Sequence, residues 1–272
     1  MAKKLTKANA HLANASVSTT NSNPTSSSQS SLVNSSQASL PNPTQATNTT
    51  TTTTTTTTNT VGIARCLTDE EPLPRLVVFD LDYTLWPFWV DTHPVPPLKS
   101  AGGAARDAAT DKVGDTFSFY PDVPRMLYTL PAVGVRLAVA SRTHAPDLAR
   151  EMLKLLHIPP GGGGGEPLPG SSSTHHNSRE KSKRALDFFD GGGVEAHPSS
   201  KVRHFEAIQR RTGLPYSEML FFDDEARNRD VEQALGVLFC HVRDGMTWDE
   251  LDKGVRRWRA RRLAGAAAAA RA

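Results

Sequence analysis

Three short apolar segments, each ending in polar residues, constrain the fold of this chain more than any other feature. They occupy residues 76–80, 135–141 and 219–224, and a fourth apolar segment covers residues 237–242. Apolar segments with so little polar alternation are typical of strands that are covered on both faces, as in a parallel sheet. We therefore predict four strands at these positions.

The segments between the predicted strands have the spacing of amphipathic helices. Apolar residues recur at intervals of three and four in residues 122–130, 145–156 and 202–211, and further helices are predicted at residues 230–235 and 248–263. Strands that alternate with helices are typical of α/β proteins with a doubly wound sheet. The predicted fold is a single Rossmann-like parallel sheet with helices on both faces.

The predicted domain covers residues 72–263, and other parts of the chain differ from it in composition. Residues 1–71 are rich in Ser, Thr and Asn, with ten consecutive threonines at residues 49–58. Such a segment buries too little apolar surface to fold, so we predict a disordered tail. Residues 159–183 are predicted to be a low-complexity loop insertion and residues 264–272 an Ala-rich tail. No interrupting segment is long or apolar enough for a large cap domain.

Basic charge is concentrated at the two ends of the chain. The formal net charge is +3, but residues 69–252 contain 20 basic and 28 acidic residues, a net charge of −8. We therefore expect no nucleic-acid-binding surface on the folded part. No apolar segment approaches the roughly 18 residues that a membrane span requires, so an integral membrane protein is not expected.

The two cysteines, Cys66 and Cys240, are far apart in the sequence, and Cys66 falls in the predicted tail. They provide neither a disulfide framework nor a metal cluster, and a reducing compartment is the default for such a chain. The N-terminus lacks the apolar segment of a secretory signal and has almost no Arg, unlike a mitochondrial transit segment. We expect a cytoplasmic protein, with a nuclear location as the alternative and mitochondrial import disfavoured.

Polar side chains follow the predicted strands at the edge where the carboxyl ends of the strands meet. Ligands of α/β proteins bind at this edge. Oxygen ligands without nearby His or Cys suit Mg²⁺, which prefers carboxylates, water and a substrate phosphate. The candidate site residues are Asp80, Asp82, Ser141, Arg142, Lys201, Asp223 and Asp224.

These side chains supply the groups that phosphoryl transfer requires. A carboxylate can attack phosphorus and form an aspartyl-phosphate, which divides one difficult step into two. A second carboxylate two residues on can protonate the leaving oxygen and then accept a proton from water. The transition state calls for a metal ion, a lysine and hydrogen-bond donors around the phosphoryl oxygens. The sequence therefore predicts a Mg²⁺-dependent phosphomonoesterase.

The order of these residues resembles that of the haloacid dehalogenase-like (HAD) superfamily. Its four motifs correspond to Asp80/Asp82, Ser141, Lys201 and Asp223/Asp224. The surrounding residues closely resemble the eukaryotic magnesium-dependent phosphatase 1 family, in the segments 79–93, 140–143, 200–205 and 221–225. The resemblance covers about residues 74–246 and implies a HAD-type sheet.

The resemblance implies a catalytic or metal-binding role for four aspartates. Asp80 would be the nucleophile and a Mg²⁺ ligand, and Asp82 would be the general acid/base with its backbone carbonyl on the metal. Asp224 would complete the metal site. Asp223 would be its neighbour or its substitute, and which of the two is the direct ligand stays open.

The resemblance also implies how substrate is held. Ser141 would hydrogen-bond the phosphoryl group, Arg142 would lie along the substrate, and Lys201 would neutralise the phosphoryl group and hold Asp80. The family includes activity on phosphotyrosine and on sugar-type phosphates, fructosamine phosphates among them. The expected partner is thus a phosphorylated small molecule or a phosphoprotein, and a monomer is the default.

Two other functions remain open from the residues alone. A phospho-accepting receiver domain also uses an acidic pair, a hydroxyl and a Lys, although in another chain order, and a catalytically silent HAD-like scaffold is the second alternative. Among the neighbouring residues, the hydroxyl of Thr84 is expected to brace a turn and Asn228 to cap a helix. Trp86, Phe88 and Trp89 could either pack a hairpin over the site or stack on substrate.

Overall fold

The structure, a computed structural model, describes residues 63–162 and 181–271, which contain ten strands and five α-helices. The strands are β1 (Leu76–Phe79), β2 (Lys99–Ala101), β3 (Ala108–Thr110), β4 (Thr116–Ser118), β5 (Arg136–Ser141), β6 (His157–Ile158), β7 (Lys183–Arg184), β8 (Val194–Ala196), β9 (Met219–Asp223) and β10 (Leu238–His241). The helices are α1 (Val123–Ala132), α2 (Pro146–Leu155), α3 (Lys201–Thr212), α4 (Asp230–Leu235) and α5 (Trp248–Ala269).

A parallel sheet in the strand order β10-β9-β1-β5-β8 forms the centre of the fold. All four residues of β1 are fully buried: Leu76 and Val78 face one apolar core, and Val77 and Phe79 face the other. Helices α3 and α4 pack on the first face, and α1, α2 and α5 pack on the second. The doubly wound α/β sheet predicted from the unbroken apolar segments is confirmed.

The sheet has a fifth strand that the sequence pattern did not predict. Strand β8 has only three residues, and its central residue is Glu195. Glu195 is buried in the fold and forms an ion pair with Arg211 of α3. A charged residue in a strand this short hides the apolar pattern, and its burial is compensated by Arg211, 16 residues further along the chain, and by His197 at 3.3 Å.

A small antiparallel sheet lies in the segment that joins β1 to α1, where the sequence pattern predicted no strand. Its strands are β2, β3 and β4. The carboxylate of Asp111 accepts backbone N–H groups from Val95, Val113, Gly114 and Asp115, all at 2.9 Å. Strands of three residues are too short for a periodic sequence pattern, whereas one aspartate satisfies four amides of the turn.

Strands β6 and β7 pair in antiparallel fashion and enclose most of the predicted loop insertion of residues 159–183. Residues 163–180 of that insertion lie outside the described residues. The pairing joins His157 to Arg184 and Ile158 to Lys183, so the base of the insertion is part of the folded domain.

The described chain begins within the predicted tail, of which residues 1–62 lie outside the description. Residues 63–71 differ from the prediction because they pack on α5. Cys66 is 2% exposed, and its backbone N–H donates to Asp252 at 2.9 Å. The guanidinium of Arg259 pairs with Asp69 and donates to the carbonyl of Cys66. These partners are almost 190 residues away in the chain, so no local pattern could reveal them.

Helix α5 is longer than predicted, since it ends at Ala269 rather than near Leu263. Residues 264–269, predicted as part of an Ala-rich tail, continue the helix because alanine has the highest helix propensity of any residue. Both cysteines of the chain are free. Within the described residues, neither α5 nor another helix combines the length and the apolar character needed to cross a membrane.

Candidate active site

Asp80 directly follows β1 and lies at the carboxyl edge of the parallel sheet. Its backbone N–H donates to the carbonyl of Phe222 in β9 at 2.9 Å, which extends the pairing of β1 with β9 by one residue. From β1 the chain continues to β5 on one side of the sheet, whereas β9 and β10 lie on the other side. Asp80 therefore sits where the strand order reverses, the usual ligand position in α/β sheets.

Lys201 is buried at the start of α3 and joins two of the predicted aspartates. Its Nζ lies 2.7 Å from Oδ1 of Asp80 and 2.8 Å from Oδ2 of Asp223, and it also donates to the carbonyl of Ala140. Ser200 caps the helix by accepting the N–H of Arg203, which leaves Lys201 in the first turn. The helix dipole disfavours a cation there, so the two carboxylates provide the stabilisation that the helix does not.

The electrostatic balance of this cluster is negative. Burial by itself lowers the pKa of Lys201, but the carboxylates of Asp223 and Asp80 outweigh burial and raise that pKa above its ordinary value. Burial raises the pKa of Asp80 well above its usual value; Lys201 opposes this, whereas the carboxyls of Asp223 and Asp82 add to it. One ammonium faces several carboxyls, so a further cation would stabilise the ionised cluster.

Three carboxylates could hold that cation. Asp80, Asp223 and Asp224 each offer an oxygen, and these oxygens lie within 4.8 Å of one another. Carboxylate oxygens are the ligands that Mg²⁺ prefers, so the donor set fits this ion. Asp223 is fully buried and firmly held: its Oδ1 accepts the N–H of Glu225 at 2.7 Å, and its Oδ2 accepts Nδ2 of Asn228 at 2.8 Å. Asp224 is partly exposed.

Asp82 accepts hydrogen bonds from donors other than Lys201. Its Oδ1 accepts the indole N–H of Trp86 at 2.8 Å and the backbone N–H of Val90 at 3.1 Å. Burial raises the pKa of Asp82 to about 7, although the hydrogen bonds from Trp86 and Val90 act in the opposite direction. A carboxyl group with such a pKa can both donate and accept a proton near neutral pH.

Ser141 and Arg142 lie at the carboxyl end of β5, on the same edge of the sheet. Ser141 is 1% exposed, and its Oγ accepts the backbone N–H of Thr143 at 3.3 Å. Arg142 is exposed, and its Nη1 donates to Oδ1 of Asn228 at 3.3 Å. The structure thus places all seven candidate residues along one edge, with Arg142 connected to Asp223 through Asn228.

Asn228 is the residue of the site that sequence reasoning missed. We expected it to cap the following helix, but α4 has no side-chain cap hydrogen bond. Asn228 is instead 2% exposed, with its amide nitrogen on Asp223 and its amide oxygen on Arg142. An amide both donates and accepts, so it can orient an acid and a base together. The only sequence feature that could have indicated this role is the position of Asn228, five residues after Asp223.

The aromatic residues that follow Asp80 and Asp82 differ in burial, and two of them take the first of the two roles that the sequence left open. Trp86 and Phe88 are buried and stack on each other with ring centroids 5.1 Å apart, so they pack the hairpin. Trp89 is partly exposed, and it contacts Tyr83 edge-to-face at 5.1 Å and stacks on His93 at 5.5 Å.

Thr84 braces its turn through its backbone rather than through its hydroxyl. Its N–H donates to the carbonyl of Leu81 at 3.2 Å, and its own carbonyl accepts the N–H of Met246 at 2.9 Å. The hydroxyl oxygen is buried and has no hydrogen-bond partner among the described residues. The expected bracing role holds for the residue, but the atom that we expected to provide it does not take part.

His204, one helical turn after Lys201, makes the acid stability of the domain sensitive to pH. Burial, together with Lys201 and His197, lowers its pKa from 6.5 to about 4. The unfolded chain then binds the proton first, so the contribution of His204 to the free energy of unfolding should fall by about 3 kcal/mol as the pH drops from 6.5 to 4. The raised pKa values of Asp80 and Asp82 act in the opposite direction, so the contribution of His204 is measured as the difference between variant and wild type.

Replacing His204 with Gln should remove most of this pH dependence while keeping a donor for the carbonyl of His197. Urea unfolding at several pH values, with His144→Gln as the control at an exposed histidine, measures the difference. An unchanged pH dependence in His204→Gln would show that another group is responsible.

Residues 72–261 match the family model described as Acid Phosphatase. Over 184 residues the chain is 39% identical to Magnesium-dependent phosphatase 1 of Homo sapiens, which covers 67% of this chain and 86% of that protein. Over 166 residues it is 42% identical to a HAD-like hydrolase superfamily protein of Schizosaccharomyces pombe, covering 61% of this chain and 84% of that protein. The match to the family model includes every residue of the acidic cluster.

Proposed function

The chain belongs to the Acid Phosphatase family and is a magnesium-dependent phosphatase of the HAD superfamily, and we propose that it hydrolyses phosphomonoesters through an aspartyl-phosphate on Asp80. One observation carries this proposal. The carboxylate of Asp80 lies at the carboxyl edge of the sheet, is held by Lys201 at 2.7 Å and has oxygens of Asp223 and Asp224 within 4.8 Å. A carboxylate in such a setting is a competent nucleophile toward phosphorus.

In the first step, a carboxylate oxygen of Asp80 attacks the phosphorus atom. A P–O bond forms to Asp80, and the P–O bond to the leaving alcohol breaks. The proton of the Asp82 carboxyl moves to the leaving oxygen, so the alcohol departs neutral and Asp82 becomes a carboxylate.

In the second step, Asp82 acts in the opposite direction. Its carboxylate accepts a proton from a water molecule, and the water oxygen forms a new bond to phosphorus. The P–O bond to Asp80 breaks, which releases phosphate and restores both carboxyl groups to their starting states. A pKa of about 7 for Asp82 suits both proton transfers.

Asp80 and Asp224 would hold Mg²⁺ through their side chains and Asp82 through its backbone carbonyl. When bound there, Mg²⁺ supplies positive charge against the phosphoryl oxygens. We assign Asp223 to anchoring Lys201 and Asn228, because both of its carboxylate oxygens already accept hydrogen bonds from the protein. Asp224, which is partly exposed, is therefore the direct ligand of the pair.

Three further side chains would bind the phosphoryl group and the substrate. Lys201 neutralises charge on the phosphoryl oxygens while it keeps Asp80 in place. Ser141 donates its hydroxyl proton, since its Oγ already accepts the N–H of Thr143. Arg142, exposed beside the site and oriented by Asn228, lies along the part of the substrate beyond the phosphate.

We propose a phosphorylated small molecule or a phosphoprotein as the substrate, of the phosphotyrosine or the phosphosugar (fructosamine phosphate) type. Exposed Arg142 and partly exposed Trp89 support a site that admits such groups. We further propose a monomer in the cytoplasm; two buried free cysteines fit a reducing compartment and so support this location.

Trapping the covalent intermediate tests this proposal. With Mg²⁺ and an aryl phosphate, rapid acid quenching should yield one phosphoryl group on the peptide that contains Asp80, and hydroxylamine should remove it. Turnover should release many equivalents of phosphate and should stop when EDTA removes the metal. Phosphate on another residue, or turnover that persists in EDTA, would contradict the mechanism. Release of a single equivalent would instead indicate a receiver-like domain.

A further inference from the structure

We propose that Trp86 is a positioning residue for proton transfer: its buried indole N–H fixes the carboxyl group of Asp82 so that the transferred proton is carried by Oδ2. The inference rests on the proposed role of Asp82 as general acid/base. Trp86 does not contact the reacting atoms in this proposal and acts only through Asp82.

The hydrogen bonds of Asp82 carry the first part of the argument. The indole N–H of Trp86 and the backbone N–H of Val90 both donate to Oδ1, at 2.8 and 3.1 Å. Neither group can accept a hydrogen bond, because an indole nitrogen and a peptide nitrogen are donors only. A proton on Oδ1 would collide with both donors. When Asp82 is protonated, the proton therefore resides on Oδ2, which is the oxygen left for the leaving group and for water.

The packing of Trp86 carries the second part. Its side chain is fully buried, and its ring stacks on Phe88 at 5.1 Å and on Phe119 at 5.9 Å. Phe88 in turn contacts Phe117 of strand β4 edge-to-face at 4.9 Å. The backbones of Asp82 and Trp86 are also bridged directly. The two stacked rings thus restrict the orientation of the indole, and Phe88 connects it to the small antiparallel sheet. The indole N–H in turn holds the carboxyl group of Asp82 in place.

Positioning of this kind has a kinetic signature that distinguishes it from packing alone. General acid catalysis matters most when the leaving oxygen is strongly basic and matters little when the leaving group is an activated, weakly basic phenolate. A misplaced acid therefore slows the hydrolysis of poor leaving groups selectively. A variant that merely loosens the fold would instead slow all substrates by similar factors.

The experiment compares Trp86→Phe with Trp258→Phe in the full-length, Mg²⁺-loaded enzyme. Trp258 is a matched control because it is also buried, and its indole N–H donates to the carbonyl of Ser217 at 2.8 Å. Ser217 precedes β9, at the opposite end of the sheet from Asp80. Both variants lose one buried indole N–H, but only one of these groups contacts Asp82.

We expect Trp86→Phe to lower kcat/KM for phenyl phosphate roughly tenfold; kcat/KM is the quantity compared because it reports the first step, in which Asp82 is the acid, and not the second step, which both substrates share. For dinitrophenyl phosphate, kcat/KM should fall less than about twofold, and Trp258→Phe should leave the ratio of the two kcat/KM values at the wild-type value. Equal losses on both substrates in Trp86→Phe, or the same selective loss in Trp258→Phe, would overturn the inference.

Two further variants keep the test decisive. Benzothienylalanine at position 86 replaces the indole N–H with sulfur while preserving the ring shape, and it should reproduce the selective loss even where Trp86→Phe fails to fold. Asp82→Asn, measured in parallel, should lose kcat/KM for phenyl phosphate far more than kcat/KM for dinitrophenyl phosphate. Equal losses in Asp82→Asn would overturn the role of Asp82 in the proposed function. A selective loss in Asp82→Asn that is absent at position 86 would overturn only the role of Trp86.

Discussion

Replacing Asp80 with Asn should lower kcat at least about 10³-fold toward every phosphomonoester, since an amide oxygen is a poor nucleophile toward phosphorus. The fold should survive this change. Lys201 keeps its contact with Asp223 at 2.8 Å, and the repulsion between Asp80 and the neighbouring carboxylates disappears. The measurement is steady-state phosphate release with Mg²⁺ in excess, together with the thermal unfolding midpoint of the same samples.

The control for this prediction is Asp190→Asn, which makes the same chemical change at an exposed aspartate. It should retain wild-type kcat. Asp80→Glu should also be severely impaired, because one added methylene moves the carboxylate by about 1 Å and such a displacement can reduce the rate about 10²-fold. Substantial turnover by Asp80→Asn in a sample free of wild-type enzyme would exclude Asp80 as the nucleophile.

Replacing Lys201 with Met should both inactivate and destabilise the enzyme. Its ammonium is 1% exposed and lies within 2.8 Å of two carboxylates, so its removal leaves Asp80 and Asp223 buried without their cation. Breaking a buried ion pair from one side typically lowers the free energy of unfolding by about 3–5 kcal/mol. Urea unfolding in the absence of Mg²⁺ measures the loss.

The pH dependence of this loss follows from the carboxyl of Asp80. Without Lys201 the folded-state pKa of Asp80 lies even further above its unfolded value, so the folded protein binds a proton that the unfolded chain releases. Stability contributed in this way is present at low pH and is lost as the pH rises. The deficit of Lys201→Met relative to wild type should therefore be larger at pH 8 than at pH 5.

Lys253→Met is the matched control for the lysine prediction. Lys253 pairs with Asp249 and Glu250 on the exposed side of α5, and exposed pairs contribute about 1 kcal/mol or less. A loss at Lys201 no greater than the loss at Lys253, or a deficit that shrinks as the pH rises, would show that the buried contacts do not carry the stability assigned to them.

The sequence predicted those parts of the fold in which apolar residues recur at regular, short intervals. Strands β1, β5, β9 and β10 and all five helices were predicted within a few residues, apart from the C-terminal extension of α5, because apolar periodicity is a property of neighbouring residues. Strand β8, the sheet of β2 to β4 and the packing of residues 63–71 were not. Strand β8 and residues 63–71 depend on a distant partner, as Glu195 depends on Arg211 and Cys66 on Asp252. The strands of the small sheet are too short to show a periodic pattern.

The candidate site shows the same division. Its aspartates could be predicted because each follows an apolar strand, and parallel strands bring their carboxyl ends to one edge. The contacts of Asn228 and Trp86 could not, because neither residue follows a strand and both act through the orientation of one side-chain nitrogen. An amide near a helix start and a tryptophan in an apolar segment have more common structural roles, which is why their contacts were not anticipated.

The sequence by itself determined that this chain forms a doubly wound sheet and which oxygen-bearing side chains occupy its edge. Only the tertiary structure decided which partner each of these side chains has. Lys201 lies between Asp80 and Asp223, Asn228 connects Asp223 to Arg142, and Trp86 donates to Asp82. The physical reason is one of range. The periodicity that predicts helices and strands is a property of residues at most four apart in the sequence. The contact of Lys201 with Asp80 joins residues 121 apart and forms only when the sheet has assembled.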